Sequence, residues 1–264
     1  MATRVRLDQL LVQRSLAPSR ERAQALILAG AVRVDGEVAD RAAAPVSDTA
    51  AITVAQGPRF VSRGGEKLDA ALDELGVNVA GLVALDVGSS TGGFTDCLLQ
   101  RGAARVYAID VGKGQLDWKL RTDARVIARE GVNAREGFEL PERVDVVVAD
   151  VSFISLRIAL LPSFRHLREG GDVVALVKPQ FEAGRSDVHG GVVRDPEVRR
   201  RVLREFCAFS TAAGAAVLGV CDSCLPGPAG NHEYVVYVAA AGHPAAEERE
   251  VDVERAIADA IASA

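Results

Sequence analysis

The chain has 264 residues, 48% hydrophobic and 25% charged, a composition suited to one large α/β domain with a small partner domain. A formal charge of −5 excludes a uniformly basic protein, yet Met1–Lys67 carries ten Lys/Arg against seven Asp/Glu, so the basic part is the N-terminal quarter. The longest uncharged stretch of interest, Cys207–Cys221, is too short and too rich in Ala, Gly, Ser and Thr to span a bilayer; no apolar run follows Arg4 and Arg6 as in a signal peptide, and a cytoplasmic protein with no membrane partner is expected.

Arg4–Ser15 reads as a helix with Val5, Leu7, Leu10 and Leu11 on one stripe. After Pro18, Ser19 caps a second helix, Arg20–Ala29, which Gly30 ends. Val32, Val34 and Val38 flank Asp35–Gly36, a hairpin signal, and Ile52–Val54 is a further short strand. These elements make a small α+β domain over residues 1–58. In order, L-D-x-L-L, S-R-x-x-A and G-x-V-x-V-D-G resemble the alpha-L RNA-binding motif of a small-subunit ribosomal protein and of pseudouridine synthases. That resemblance implies RNA contact through Arg20, Arg22 and Arg33, with Arg4 and Arg6 as further basic candidates.

A Pro/Gly/Arg-rich stretch holds a connector at 59–65. The second domain, 66–264, begins with a helix started by Ser62 that runs through Lys67, Leu68, Leu72 and Leu75 and stops at Gly76. Strands then alternate with helices. Val83–Val87, Arg105–Asp110, Val126–Ala128, Val144–Ala149 and Val173–Val177 are apolar runs of the kind buried on both faces of a parallel sheet. Helices are expected near Gly93–Arg101, Gln115–Arg121, Ser155–Leu167 and Pro196–Ala213. Between the strands Ala216–Val220 and Glu233–Ala239 there is no room for a helix, so these two pair antiparallel. The expected fold is a Rossmann-like class I methyltransferase: a seven-stranded, mostly parallel sheet with a terminal antiparallel strand. Ala245–Ala264 is expected to be a surface helix.

Leu85–Asp96 (L-D-V-G-S-S-T-G-G-F-T-D) follows a strand and opens a helix. Its G-x-x-x-G-G spacing differs from the G-x-G-x-x-G of dinucleotide sites, which place a pyrophosphate on the helix N-terminus. S-adenosylmethionine has no pyrophosphate, and its zwitterionic end asks for backbone donors and a nearby carboxylate. Gly88, Ser89, Ser90, Gly92, Gly93 and Phe94 form the candidate loop, with Asp86 on the ammonium side. Asp110, 24 positions after Asp86 at the end of the next strand, is the candidate acceptor of both ribose hydroxyls. Asn133 follows the third strand where adenine is expected, and Asp150 also borders the cofactor.

Four charged residues mark the chemistry. Lys67 lies in the helix before the first strand, Asp150 ends the fourth strand, Lys178 ends the fifth, and Glu233 starts the last. A lysine at the end of a buried strand needs a partner, and ligands favour the carboxyl ends of parallel strands. A ribose 2′-hydroxyl must lose a proton as it attacks a methyl group, so a lysine held by acids suits it. This K-D-K-E set resembles that of the FtsJ-like 2′-O-methyltransferases. With S-R-G-G-E-K-L, D-V-S-F-I-S-L, L-V-K-P-Q-F-E and G-N-H-E-Y, the whole chain resembles the TlyA (hemolysin A) family of ribosomal-RNA cytidine 2′-O-methyltransferases. The resemblance implies S-adenosylmethionine as cofactor and ribosomal RNA or a ribosomal subunit as partner, with no DNA and a monomer in solution. The connector departs from the family in reading P-R-F-V where some members have Arg-x-Trp-Val.

The competing readings are a catalytically silent RNA-binding or assembly factor and a membrane-active hemolysin. Base methylation is disfavoured, because D-V-S-F replaces the D/N-P-P-Y/F motif of amino-methylating enzymes and no Cys adjoins a Pro as C5 enzymes require. Cys221 and Cys224 form a lone C-x-x-C without a second metal-ligand pair, so no metal site is expected.

Overall fold

The computed structural model describes residues 3–55, 57–248 and 251–264, and the chain divides into two compact units, Met1–Arg59 and Phe60–Ala264.

The first unit contains β1 (Arg4–Arg6), α1 (Leu7–Gln13), α2 (Arg20–Leu28), β2 (Val32–Val34), β3 (Glu37–Val38), β4 (Pro45–Ser47) and β5 (Ile52–Val54). Leu7, Leu11, Ala23, Ile27 and Val32 close its small core. The Ser19 hydroxyl accepts from the Arg22 amide and caps α2 as expected. Asp35 (φ 52°) and Gly36 (φ 91°) both adopt left-handed geometry and turn β2 into β3. The helix expected from Arg4 begins only at Leu7. Arg4–Arg6 is a strand paired antiparallel with β4, and its R-V-R alternation turns Val5 inward and both arginines outward. β4 was not foreseen because it opens on a proline, which marks sheet edges rather than interiors.

The second unit contains α3 (Arg63–Leu75), β6 (Val83–Val87), α4 (Gly93–Gln100), β7 (Arg105–Asp110), α5 (Trp118–Arg121), β8 (Val126–Glu130), β9 (Val144–Ala149), α6 (Leu156–Leu160), β10 (Leu167–Val177), α7 (Pro179–Glu182), α8 (Pro196–Ala212), β11 (Ala216–Asp222), β12 (Tyr234–Ala239), α9 (Pro244–Glu248) and α10 (Val253–Ser263). The sheet has seven strands in the order β11-β12-β10-β9-β6-β7-β8. β12, the last strand of the chain, is the one that runs antiparallel, and it lies between β10 and β11. The chain moves outward from β6 to β8 and then returns to β9 on the other side of β6. That reversal is the switch point at which open α/β sheets bind ligands.

Alternate side chains of each strand feed two cores. Leu85, Val87, Val147 and Ala149 join Leu156, Phe206 and Ile257 beneath α6, α8 and α10. Ala84, Val146 and Val148 join Leu68, Leu72 and Leu98 beneath α3 and α4. Both faces are therefore covered, as continuous apolar strands demand.

Three elements differ from expectation. β10 extends back to Leu167 through an irregularity before Asp172, where Gly171 admits the Asp145 carbonyl; a Cβ there would lie 2.8 Å from that oxygen. The helix expected at Ser155–Leu167 ends at Leu160 and continues as a 3-10 turn containing Pro162, whose missing N–H disfavours a longer α-helix. The C-terminal surface helix is amphipathic rather than wholly exposed. α10 buries Ile257 and Ala260 in the core against α8 and β11; residues 249 and 250 of the expected Ala245–Ala264 span lie outside the described residues. The buried pair falls three residues apart on one helical face, a spacing the alanine-rich composition obscures.

Candidate active site

The loop from β6 into α4 is built by close backbone approach. Gly88 (φ 84°) leaves the strand in left-handed geometry, and a Cβ on it would meet the Asp150 carbonyl at 2.6 Å. Gly93 opens α4 against the start of α3: a Cβ on Gly93 would lie 2.2 Å from Ser62 Oγ, and one on Gly65 would lie 2.9 Å from the Gly93 carbonyl. The two helix starts cross at glycines, and that crossing brings Lys67, one turn into α3, to the ends of the strands.

Two adjoining clefts open there and share Gly88, Ser90, Asp150 and Ser152. The first is bordered by Ser89, Gly93, Phe94 and all four charged candidates, Lys67, Asp150, Lys178 and Glu233. The second contains Asp110 and Asn133 between apolar walls that include Ile109, Val132 and Phe153. Asp110 Oδ2 accepts from the Ser90 amide at 2.8 Å and its Oδ1 from the Gly112 amide at 2.6 Å, so two backbone donors aim the carboxylate at the loop. The Asn133 side chain is engaged locally, donating to Glu136 and accepting from the Arg135 amide.

The four charged residues form two pairs. Lys67 Nζ lies 2.5 Å from Glu233 Oε2, with side chains 6% and 3% exposed. Lys178 Nζ lies 2.5 Å from Asp150 Oδ1, with side chains 12% and 25% exposed, and donates to Ser152 Oγ at 2.9 Å. Gln180 Nε2 donates to the other Glu233 oxygen at 3.0 Å.

Asp86 and Gly92 line neither cleft. Gly92 gives way to Leu120 of α5, whose methyl would sit 2.2 Å from a Cβ. Asp86 is fully buried, its Oδ2 accepting from Thr95 Oγ1 at 2.6 Å while Oδ1 has no hydrogen-bond partner among the described residues. Burial, and then the neighbouring Asp150 and Asp110 charges, push its carboxyl up to about 7.

In the first unit, Arg6 and Arg20 converge on Asp8. This carboxylate is fully buried and also accepts from Gln24. The bidentate Arg6 contact, partly opposed by burial, holds Asp8 well below the usual carboxylate range. Arg33 turns back to the Gly36 carbonyl, whereas Arg4 and Arg22 are exposed. Asp8 was missed because its place on the apolar stripe of α1 carries no sign of the arginines that meet it.

Sequence reasoning also missed Ser152, Gln180 and Arg63. The first two lie inside the D-V-S-F and K-P-Q-F motifs, beside residues that drew attention by charge. Arg63 lies one helical turn before Lys67, is exposed and borders the first cleft. Phe153 (φ 66°), 91% exposed at the second cleft, packs on Phe181 with ring centroids 5.1 Å apart. Phe60, the aromatic of the P-R-F-V connector, is buried.

Residues 60–240 match the FtsJ-like methyltransferase family, and residues 5–52 match the S4 domain. The chain is 49% identical to a Mycobacterium tuberculosis protein named 16S/23S rRNA (cytidine-2′-O)-methyltransferase TlyA, over 90% of this chain and 91% of that one. It is 41% identical to the hemolysin A of Brachyspira hyodysenteriae over 88% of this chain and 99% of that one. A solved Streptococcus thermophilus structure bearing a hemolysin name superposes with a TM-score of 0.72 at 37% identity, covering 100% of this chain and 96% of that one.

Proposed function

The chain belongs to the FtsJ-like methyltransferase family and carries an S4 domain, and from that premise we propose that it transfers a methyl group from S-adenosylmethionine to a cytidine ribose 2′-hydroxyl of ribosomal RNA. One observation carries the reading: two lysine–carboxylate pairs line one cleft beside a glycine loop and a strand-end aspartate.

The residues present fit the cofactor. Gly88–Gly93 provides a close backbone cradle that a Cβ at Gly88 would break, Asp110 offers carboxylate oxygens for ribose hydroxyls, and the apolar walls of the second cleft suit a flat base. Asp86 supports the loop from beneath through Thr95. When bound, S-adenosylmethionine supplies an electrophilic methyl on a sulfonium.

The chain's task is then to present the hydroxyl and remove its proton. Asp150 and Ser152 fix Lys178 Nζ at the cleft wall. With the cofactor bound, the O–CH₃ bond would form as the S–CH₃ bond breaks and the sulfur keeps its electron pair, and the hydroxyl proton would pass to Lys178 Nζ, held by the Asp150 carboxylate. Lys67, neutralised by Glu233, anchors the far wall, and Gln180 holds Glu233 in turn. Arg4, Arg6, Arg20, Arg22 and Arg33 supply the RNA contacts of the S4 domain, with Asp8 orienting Arg6 and Arg20. The partner is ribosomal RNA or a ribosomal subunit rather than DNA, and the protein acts as a cytoplasmic monomer. The functional units are 1–58, a connector at 59–65, and 66–264.

The test is incubation of purified protein with ribosomal subunits lacking the modification and methyl-labelled cofactor. Label in a nuclease-resistant 2′-O-methylated nucleotide is expected. Cofactor binding without any label in RNA would overturn the reading and leave an RNA-binding factor. Among the described residues no helix is long and apolar enough to cross a membrane. Dye release from liposomes by the same preparation would favour the hemolysin name instead.

A further inference from the structure

The loops that follow β9 and β10 run side by side, because the two strands are parallel neighbours. Their side chains meet in sequence order, like the teeth of a zip. Lys178 meets Asp150 and Ser152, Phe181 meets Phe153, and Glu182 meets Ser155 and Leu156. In the last contact the carboxylate is the more enclosed. The Glu182 side chain is 4% exposed; its Oε2 accepts from Ser155 Oγ at 2.8 Å, and its Oε1 accepts from the Leu156 amide at 2.5 Å. Arg157 Nε stands 3.5 Å from the same Oε2. Ser155 makes no capping bond of its own at the start of α6, so Glu182 supplies the acceptor that the first helical amide lacks.

A helix cap normally comes from the residue next to the helix. Here it comes from the last residue of α7, 26 residues away, the short helix that Lys178 precedes. A buried carboxylate is costly without partners, and the three groups that satisfy this one all belong to residues 155–157. Between the tie and the reacting pair, Phe153 holds a left-handed backbone that a bulky residue adopts only when its surroundings impose it. We propose that Glu182 is a positioning residue for methyl transfer: by tying the Lys178 segment to the start of α6, it sets the separation of Lys178 from Asp150 and Ser152.

The inference rests on the proposed 2′-O-methylation, and the experiment separates the two. Wild type, Glu182→Ala, Glu182→Gln and Ser155→Ala are compared for kcat, RNA KM, cofactor Kd and the pH profile of kcat on unmodified ribosomal subunits. Glu182→Ala is expected to lower kcat by between about 10- and 100-fold, the scale of a misplacement near 1 Å. RNA KM and cofactor Kd should stay within about threefold, and the pH profile of kcat should differ from that of wild type. Glu182→Gln should restore most of the rate, since its carbonyl still accepts from the Leu156 amide and Ser155 can rotate to accept from its NH₂. Ser155→Ala should lower kcat less, and its effect should not add to that of Glu182→Ala.

Unchanged kcat in Glu182→Ala with active wild type would overturn the inference alone. So would parallel losses of kcat, cofactor binding and melting temperature that Glu182→Gln does not rescue, because they mark a merely structural carboxylate. No transfer by the wild type would strike the 2′-O-methylation reading itself.

Discussion

The two lysine–carboxylate pairs share a cleft and a chemistry but differ in depth. Lys67 and Glu233 are shut in by α3 and the Gln180 amide, whereas Lys178 and Asp150 remain open to the cleft. A pair removed from water trades hydration for mutual attraction and becomes sensitive to loss of either member. A pair at a cleft wall keeps room for a reacting group. On the proposed reading the outer pair takes the proton, while the inner pair both holds the fold and shapes the cleft wall, and this contrast can be broken experimentally.

The largest effect should come from the outer pair. Lys178→Ala is expected to lower the single-turnover methylation rate by about 10³-fold, within the range for removal of a general base, while calorimetry shows cofactor binding preserved. Loss of binding in that variant would make Lys178 structural and erase the contrast. Lys67→Ala should cost stability first, about 3–5 kcal/mol in urea unfolding of the second unit, because Glu233 is left buried without its cation. Lys67→Met combined with Glu233→Leu should recover stability but not activity. If the double variant methylates RNA normally, the inner pair has no part in the chemistry.

Asp86 lies buried beneath the glycine loop, chiefly under the influence of that burial. Its folded carboxyl sits at about 7, above the unfolded value, so ionising it opposes folding. The stability linked to it is fully present below about pH 4, declines as pH rises towards 7 and levels off above that. Asp86→Asn should remove this decline, measured as the difference between the urea midpoints of variant and wild type from pH 4 to 8; a constant difference would show that Asp86 does not titrate there. The smallest effect is expected at Arg63. Arg63→Gln should raise RNA KM about threefold and reduce the salt dependence of RNA binding by about one counterion, with kcat and cofactor Kd nearly unchanged.

Much of the site was legible because the fold places chemistry at positions that local sequence marks. A glycine loop after an apolar strand, an aspartate ending the next strand and a lysine ending a buried strand are short-range patterns, and all three border the clefts. Asp86 looked equivalent to these residues, yet it lies one position before the strand end and points into the interior. One residue along a strand reverses the face, and apolar neighbours on both sides concealed the choice. Ser152, Gln180 and Glu182 were passed over because their roles depend on partners contributed by other loops.

What the sequence by itself determined is local. The Ser19 cap, the Asp35–Gly36 turn, the parallel strands as apolar runs and the glycine loop each arise from interactions within a few residues, where propensity and periodicity act. Only the tertiary structure decided which lysine meets which acid. Lys67 and Glu233 are 166 residues apart and meet because β12 inserts beside β10 while glycines let α3 cross α4 closely. It also decided that Arg4–Arg6 is a strand, that Asp8 gathers two arginines and that one face of α10 packs into the core. Each of these outcomes depends on a partner distant in the chain, whose position is set by strand order and packing rather than by neighbouring residues.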